Sequence, residues 1–371
     1  MIIVTFLLFI LTLLCLLIHI FSLIIVFSRR FFNRKKTSYD SQNQSITILR
    51  PVSGLENNLE RTLESAFLLN HPQYEIIFCV SKDTDPVIPL VKTLMTRYPN
   101  IKSSLLIGED VISKNPKLNN LVKGWKAAHY RWIVMSDSNV LMPKNYFNQI
   151  FARWIDKTGL VVSPPLGTEP QNFAADLEAA FLNSYQARWQ LTSDSIGHGF
   201  AQGKTLFWCR DVLDRAGGIN ALSCELAEDA AATKIVRDQG LKVRLTAMPF
   251  GQPLGKRQLR SVWNRQLRWA KLRRDSFPAF FYLEILSGFV FPAICLFFAC
   301  LLSSTSFMLL LWFFIGWYMC EFLVTFLVGW PFSLRQALAQ LTRDMLLPLL
   351  WLLAFSPKGY QWQGHKVDIK K

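Results

Sequence analysis

Two carboxylates, Glu228 and Asp229, stand side by side in CELAEDAAATKI (224–235), within a 371-residue chain whose formal net charge is +15. The stretch is rich in alanine, and Leu226, Ala230 and Ile235 recur at helical spacing, so it reads as a helix. Taken alone, such a pair is a solvated helix face. Asp137-Ser138-Asn139 follows the strand-like RWIVMS. A strand that runs into an aspartate, with an amide oxygen two residues on, sets two hard oxygens on one side of the chain. That donor set suits Mg²⁺ or Mn²⁺ together with phosphate oxygens, although the same residue types also build ordinary turns. Arg265-Gln266-Leu267-Arg268-Trp269 puts two guanidinium forks three residues apart, on one face of a helix. Two such forks can clamp a diphosphate. Lys256, Arg257, Arg260, Lys271, Arg273 and Arg274 nearby make membrane-surface charge the rival reading. Asp83 and Asp85, in SKDTDP, follow another strand-like run.

The elements that must position these groups alternate along residues 45–275. SITILRPV (45–52), YEIIFCV (74–80), IKSSLLI (101–107) and RWIVMSD (131–137) read as buried strands. Helical patterns fall between them, with Leu59, Leu63, Ala66 and Phe67, then 86–98 and 118–128. Strand–helix alternation predicts crossover units and a mostly parallel α/β sheet flanked by helices. Ligands of such sheets bind beyond the carboxyl ends of the strands, where Asp83, Asp85 and Asp137 fall. The first turn carries neither GxGxxG nor a Walker loop, which argues against dehydrogenase and P-loop chemistry.

Hydrophobic residues make up 51% of the chain, and mean hydropathy is +0.22. Residues 2–28 hold no formal charge, long enough for a transmembrane helix. With no basic residue before this run and no small-residue cleavage site after it, a retained anchor over 1–28 is expected. Arg29, Arg30, Arg34, Lys35 and Lys36 form a basic linker (29–44), which places the following domain, 45–278, on the cytoplasmic side. A second uncharged run, Ile285 to Cys320, is broken by Ser303, Ser304 and Thr305 and predicts a transmembrane hairpin within 279–330. Glu321 falls inside its second helix. MLLPLLWLLAF (345–355) is short for a span and reads as an interfacial or re-entrant helix, ahead of a basic tail with Lys358, Lys366, Lys370 and Lys371.

The seven cysteines form neither CxxC pairs nor Cys/His clusters, which argues against structural zinc and against a disulfide framework and fits a reducing cytoplasmic compartment. Cys209 and Cys224 read as inert buried thiols. Trp125, Trp132, Trp154, Trp189 and Trp208 read as core or interface aromatics. The basic runs flank apolar segments, and no nucleic-acid-binding signature accompanies them, so membrane surface and not nucleic acid explains the charge.

Taken in order, the motifs resemble the ceramide glucosyltransferase family of nucleotide-sugar transferases, over about residues 45–275. That family carries three separated aspartates followed by an (Arg/Gln)xxArgTrp motif. Here these are SKDTDP, Asp137 in MSDSN, Asp229 in LAEDAAATK, and RQLRW. NPKLNNLVKGW (115–125) and CRDVLDRAGGINALSCELAEDA (209–230) are also similar. The resemblance implies a GT-A (Rossmann-like) fold with N- and C-terminal transmembrane helices. It implies that Asp83 or Asp85 contacts uridine and that Lys117 and Asn120 help hold the nucleotide. Asp137, with Asn139 where relatives often have a second acid, would bind Mn²⁺ or Mg²⁺. Asp229 would be the general base, and Arg265, Arg268 and Trp269 would hold the diphosphate and close the acceptor side. His198, in IGHGFAQGK, is either an acceptor-site residue or a loop histidine satisfied by backbone.

The function expected from this resemblance is inverting transfer of a sugar, glucose first, from a UDP-sugar to a membrane lipid hydroxyl, ceramide first. Hopanoid or diacylglycerol acceptors with another UDP-sugar are alternatives. A processive polysaccharide synthase shares the aspartates but needs more spans. A nucleotide-sugar-binding protein without chemistry would not need all three aspartate positions filled.

Overall fold

The computed structural model describes residues 1–32, 41–357, 360–362 and 365–367. Arg34, Lys35, Lys36, Lys358, Lys370 and Lys371 lie outside the described residues, as does the side chain of Lys366. The first half of the chain runs α1 (Ile2–Phe32), β1 (Ile46–Pro51), α2 (Leu59–Glu64), β2 (Tyr74–Val80), α3 (Ile88–Arg97), β3 (Lys102–Ile107), α4 (Pro116–Ala127), β4 (Trp132–Ser136), α5 (Tyr146–Phe151), β5 (Thr158–Val162), β6 (Pro165–Pro170) and α6 (Phe173–Ala180). A π-helical stretch, Phe181–Ala187, leads into α7 (Arg188–Ser195), then β7 (Thr205–Cys209), α8 (Arg210–Asp214), α9 (Glu228–Asp238), β8 (Lys242–Leu245), β9 (Phe250–Gly255) and α10 (Leu259–Ser276). There follow α11 (Pro278–Leu283), α12 (Val290–Ser303), α13 (Met308–Leu327), α14 (Leu334–Ala354) and a hairpin of β10 (Tyr360–Trp362) and β11 (His365–Val367). Two compact units result: Phe32–Thr168 with Gln190–Gly255, and Met1–Phe31 with Glu169–Trp189 and Lys256–Lys371.

The first unit is built on a seven-stranded sheet in the order β3-β2-β1-β4-β7-β5-β8. The expected strand–helix alternation is present, and β1 pairs in parallel with both β2 and β4. Only β7 runs antiparallel to its neighbours β4 and β5. β1, β2 and β4 are buried along their whole lengths, as parallel strands covered on both faces must be. Register fixes where the loops emerge: Pro51 pairs with Cys79, and Leu49 with Met135. The carboxyl ends of β1, β2 and β4 therefore reach one edge together, and the segments after them (52–58, 81–87, 137–141) share that edge. Trp125, Trp132, Trp154 and Trp208 are buried in this core. Cys209 is buried, but Cys224 is exposed at the end of a 3-10 turn, Gly218–Cys224, and a bend at 225–227 separates it from α9, which starts at Glu228.

The second unit is helical. α1, α13 and α14 are long and apolar enough to cross a membrane, and the bent pair Pro278–Ser287 with Val290–Ser303 makes a fourth candidate. The 345–355 patch is the second half of a 21-residue helix, α14, and not a short helix of its own. Polar residues upstream of it do not end the helix because they are paired internally. Arg343 donates to Glu321 at 2.8 Å and to Asp344 at 2.8 Å, and Tyr318 donates to Asp344 at 2.9 Å. Arg188 donates to Nδ1 of His19 at 2.7 Å and lies 3.8 Å from Glu321; His19 Nε2 donates in turn to the Trp317 carbonyl. Two cations and two carboxylates thus compensate one another in an apolar surround, as buried charges require. The segment 173–187 packs on α10 and α14 through Leu177, Ala180, Phe181, Val262, Ala339 and Leu350. Its acids are also paired, Asp176 with Arg335 and Gln336, and Glu178 with Arg257 and Arg265.

Candidate active site

α4 starts where its sequence dictates. Pro116 takes the first helical position, and Asn115 caps the end by accepting from the Lys117 and Leu118 amides. The cap aims the Lys117 side chain across the sheet edge. Its ammonium meets Asp137 Oδ1 at 2.7 Å and Glu228 Oε1 at 2.6 Å, and it donates to the Gly203 carbonyl. Asn115 Nδ2 donates to the other Glu228 oxygen at 2.6 Å. The neighbour of the candidate base therefore has a definite job: Glu228 ties α9 to α4. Asp229 is held by backbone alone, with Oδ2 accepting from Gly203 N–H at 2.9 Å and Oδ1 from Ala230 N–H at 2.8 Å.

The electrostatics separate the two aspartates. Burial opposes ionisation of Asp137, but Lys117 and Lys204 outweigh it and hold its carboxyl down to about 2. Burial first, and then the Glu228 charge, push Asp229 up to about 7. One carboxylate is thus ionised throughout the neutral range, and the other sits where it can take a proton.

The donors for a divalent cation can be tested on this geometry. Asp137 Oδ2 lies 2.9 Å from the Lys204 ammonium, and Asn139 Oδ1 accepts from the same ammonium at 3.0 Å. Two hard oxygens therefore already converge on one cationic point, where Lys204 stands in for a metal. Among the described residues no group of three or more His, Cys, Asp or Glu side chains could enclose an ion. One carboxylate, one amide and outside oxygens fit Mg²⁺ or Mn²⁺, which are commonly held by one or two carboxylates plus substrate phosphates.

The other expected residues are placed as follows. Asp85 is occupied: it accepts from the Gly54 amide at 3.0 Å and the Val87 amide at 3.0 Å, pinning the β1 and β2 loops together. Asp83 is exposed on the same loop, which leaves it as the available one of the two. Asn120 is buried and donates to the Cys79 carbonyl at 2.7 Å, so it braces the end of β2 instead of joining the cluster. His198 is exposed, and its backbone exchanges hydrogen bonds with Ser193. Arg265, Arg268 and Trp269 lie on α10 in the helical unit, with Arg265 bound to Glu178.

Sequence reasoning missed Lys204, Asn115 and Arg50. Arg50 is fully buried at the end of β1 and donates to the carbonyls of Thr62 at 2.9 Å and Ser138 at 3.1 Å. It thereby anchors the loop that carries Asp137 and Asn139. A lone arginine within an otherwise apolar strand was the available signal, since a buried cation must find partners.

A mostly parallel sheet with one reversed strand, and an aspartate at the carboxyl end of its central strand facing basic side chains, fits the GT-A fold of glycosyltransferases. The chain superposes on a mannosyltransferase, PcManGT from Pyrobaculum calidifontis, solved with GDP-Man and Mn²⁺, with a TM-score of 0.53 and 15% identity over 94% of this chain and 97% of that one. The chain belongs to glycosyl transferase family 21, whose model matches residues 8–371. It is 28% identical over 260 residues to ceramide glucosyltransferase 3 of Caenorhabditis elegans, covering 70% of this chain and 56% of the relative. It is 38% identical over 116 residues to the ceramide glucosyltransferase of Komagataella phaffii, covering 30% and 23%. The chain spans about half the length of the Caenorhabditis relatives it matches.

Proposed function

We propose that this glycosyltransferase moves glucose from UDP-glucose to the hydroxyl of a membrane lipid, ceramide, with inversion at the anomeric carbon. The observation that carries the reading is the pair of unlike aspartates: Asp137 is held ionised by two lysines, and Asp229 is poised near neutrality 2.9 Å from the Gly203 amide. The lipid oxygen forms its bond to the anomeric carbon as the bond to the diphosphate breaks. UDP leaves with the electron pair, and the hydroxyl proton passes to Asp229. A base near pH 7 suits that transfer, because the hydroxyl acidifies only as the new bond forms. The Gly203 and Ala230 amides fix the carboxylate for it.

Lys117 and Lys204 give the diphosphate two fixed positive groups in a partly dry setting. Mn²⁺ or Mg²⁺, held by Asp137 and Asn139, would add charge stabilisation of the departing diphosphate. In this reading Asp83 contacts uridine, and Arg265, Arg268 and Trp269 serve the diphosphate and acceptor side. The helices long enough to span support an acceptor drawn from the bilayer, and Arg29 and Arg30 at the end of α1 support a cytoplasmic catalytic unit. The test is transfer of label from radiolabelled UDP-glucose to ceramide by the purified protein, with Asp229→Asn beside it. A labelled lipid that vanishes in the variant is expected. Transfer surviving in Asp229→Asn would remove the base from this account.

A further inference from the structure

Lys204 stands one residue before β7, and the sheet fixes its backbone. β7 pairs antiparallel with β4, with Thr205 opposite Ser136. The ladder runs one step further, because the Asp137 amide donates to the Lys204 carbonyl at 3.1 Å. Tyr146, itself fully buried, donates to Thr205 Oγ1 at 3.3 Å and braces the same step. Arg50 holds the Ser138 carbonyl at 3.1 Å, so the backbone that carries Asp137 and Asn139 is pinned as well. What can move is the Lys204 side chain, a flexible four-carbon stem that ends in a point charge.

That charge lies 2.9 Å from Asp137 Oδ2 and donates to Asn139 Oδ1 at 3.0 Å. These are the two side chains that the transferase reading gives to Mn²⁺ or Mg²⁺. Asp137 Oδ1 is taken by Lys117 at 2.7 Å, and the Asn139 amide nitrogen donates to Glu56 at 3.4 Å. A divalent ion cannot share the carboxylate and the amide oxygen with an ammonium seated between them. Like charges that close repel, and the small exposure of the Lys204 and Asp137 side chains leaves little water to screen them. The charge count points the same way. Lys117 also meets Glu228 at 2.6 Å, so the four groups in direct contact, Lys117, Lys204, Asp137 and Glu228, sum to zero. A divalent ion alone would leave the set positive, and a diphosphate alone would leave it negative. Only the two together restore the balance. The diphosphate is also the ligand that can draw the ammonium away, since lysine binds phosphate as a point charge.

We propose that Lys204 is an internal competitor for the metal position, and that it makes divalent-ion binding depend on the nucleotide diphosphate. The inference rests on the transferase reading for the metal and the diphosphate, but it is tested without turnover. Mn²⁺ uptake by the full-length protein in detergent is followed by electron paramagnetic resonance, without and with saturating UDP, and UDP binding is followed by calorimetry. Wild type should bind Mn²⁺ weakly alone and at least about tenfold more tightly with UDP; by linkage Mn²⁺ should tighten UDP by the same factor. Lys204→Met keeps the stem and removes the charge. It should tighten nucleotide-free Mn²⁺ binding by about ten- to a hundredfold, the worth of one charge-assisted contact, and shrink the help from UDP. Lys204→Ala should do the same and serves if the methionine disturbs the sheet edge, while Lys204→Arg, which keeps the charge, should stay near wild type. Lys117→Met removes an equal charge but leaves Lys204 in place, so it should tighten Mn²⁺ less. Unfolding midpoints certify each variant. Unchanged nucleotide-free binding in Lys204→Met and Lys204→Ala, with UDP still tightening Mn²⁺ in wild type, would overturn the competitor and leave the transferase reading standing. Equal tightening in Lys117→Met would also overturn it, in favour of charge at large. Tight nucleotide-free Mn²⁺ binding in Lys204→Met with no UDP binding in any protein would support the competitor and overturn the UDP-sugar reading. No Mn²⁺ uptake by any protein, with or without UDP, would overturn both the competitor and the metal.

Discussion

Both units bury ionised groups in pairs, and they bury them differently. In the sheet unit the side chains of Lys117, Asp137 and Lys204 keep 15%, 21% and 14% of their surface. In the helical unit Glu321, Arg343, Asp344 and Arg188 keep 0%, 1%, 1% and 2%. The first set lies at the sheet edge, where an incoming phosphate can take over a lysine from a carboxylate at little cost in desolvation. The second set is closed, so its charges can serve only each other. In the reading proposed above, the same pairing chemistry serves binding where solvent reaches it and a structural clasp where solvent does not.

The largest expected effect is on the open set. Asp229→Asn keeps the shape and the Gly203 contact but removes the base, so transfer should fall by about 10²- to 10⁴-fold while UDP still binds. Single-turnover rates alongside calorimetry check both halves. Next comes the closed set. Glu321→Leu leaves Arg343 and Arg188 facing a hydrocarbon side chain, at a cost of about 3–5 kcal/mol, and should be seen as loss of folded protein in detergent or a lower unfolding midpoint. If Glu321→Leu instead spared folding and removed activity, the closed set would be functional and the contrast would fail.

Smaller again is Lys117→Met. Asp137 keeps Lys204 and Glu228 keeps Asn115, so the fold should survive. The donor loses one charge-assisted contact, about 1.5–3 kcal/mol, or roughly ten- to a hundredfold in UDP-glucose affinity. A thermal shift as large as that of Glu321→Leu would place Lys117 among the clasps.

Much of this architecture can be read from residue order. The apolar, β-branched runs at 46–51, 74–80 and 132–136 are strands because both faces are buried, and continuous apolar runs of that length bounded by turns have few other uses. Asp137 and Asp229 stand out by following a strand and opening a helix. What the sequence hides is partner choice. SKDTDP does not say which aspartate the backbone will consume; that depends on Gly54 coming across from the β1 loop. Lys204 looks like any loop lysine until β7 pairs antiparallel with β4 and brings Thr205 opposite Ser136. α14 reads as too short because Arg343 and Asp344 count as polar, and only Glu321, 22 residues upstream, makes them compatible with a long apolar helix.

The smallest effect tests the two acids of α9 against each other. Because Asp229 must be ionised to accept a proton, transfer should rise with pH and level off above about 7, the value to which burial and Glu228 raise it. Below that point activity should fall tenfold per unit. Glu228→Gln removes the neighbouring charge but not the burial, which is the larger cause. The acid limb should therefore move to lower pH, by less than the whole interval from about 7 down to 3.8. Glutamine can still take the Asn115 hydrogen bond, so the helix should hold its place. The measurement is kcat/KM for UDP-glucose against pH in both proteins. A limb that stays put would mean that burial alone raises Asp229 and that Glu228 serves only to tie α9 to α4. A limb that moves would mean that the paired acids at 228 and 229 set the working pH of the base.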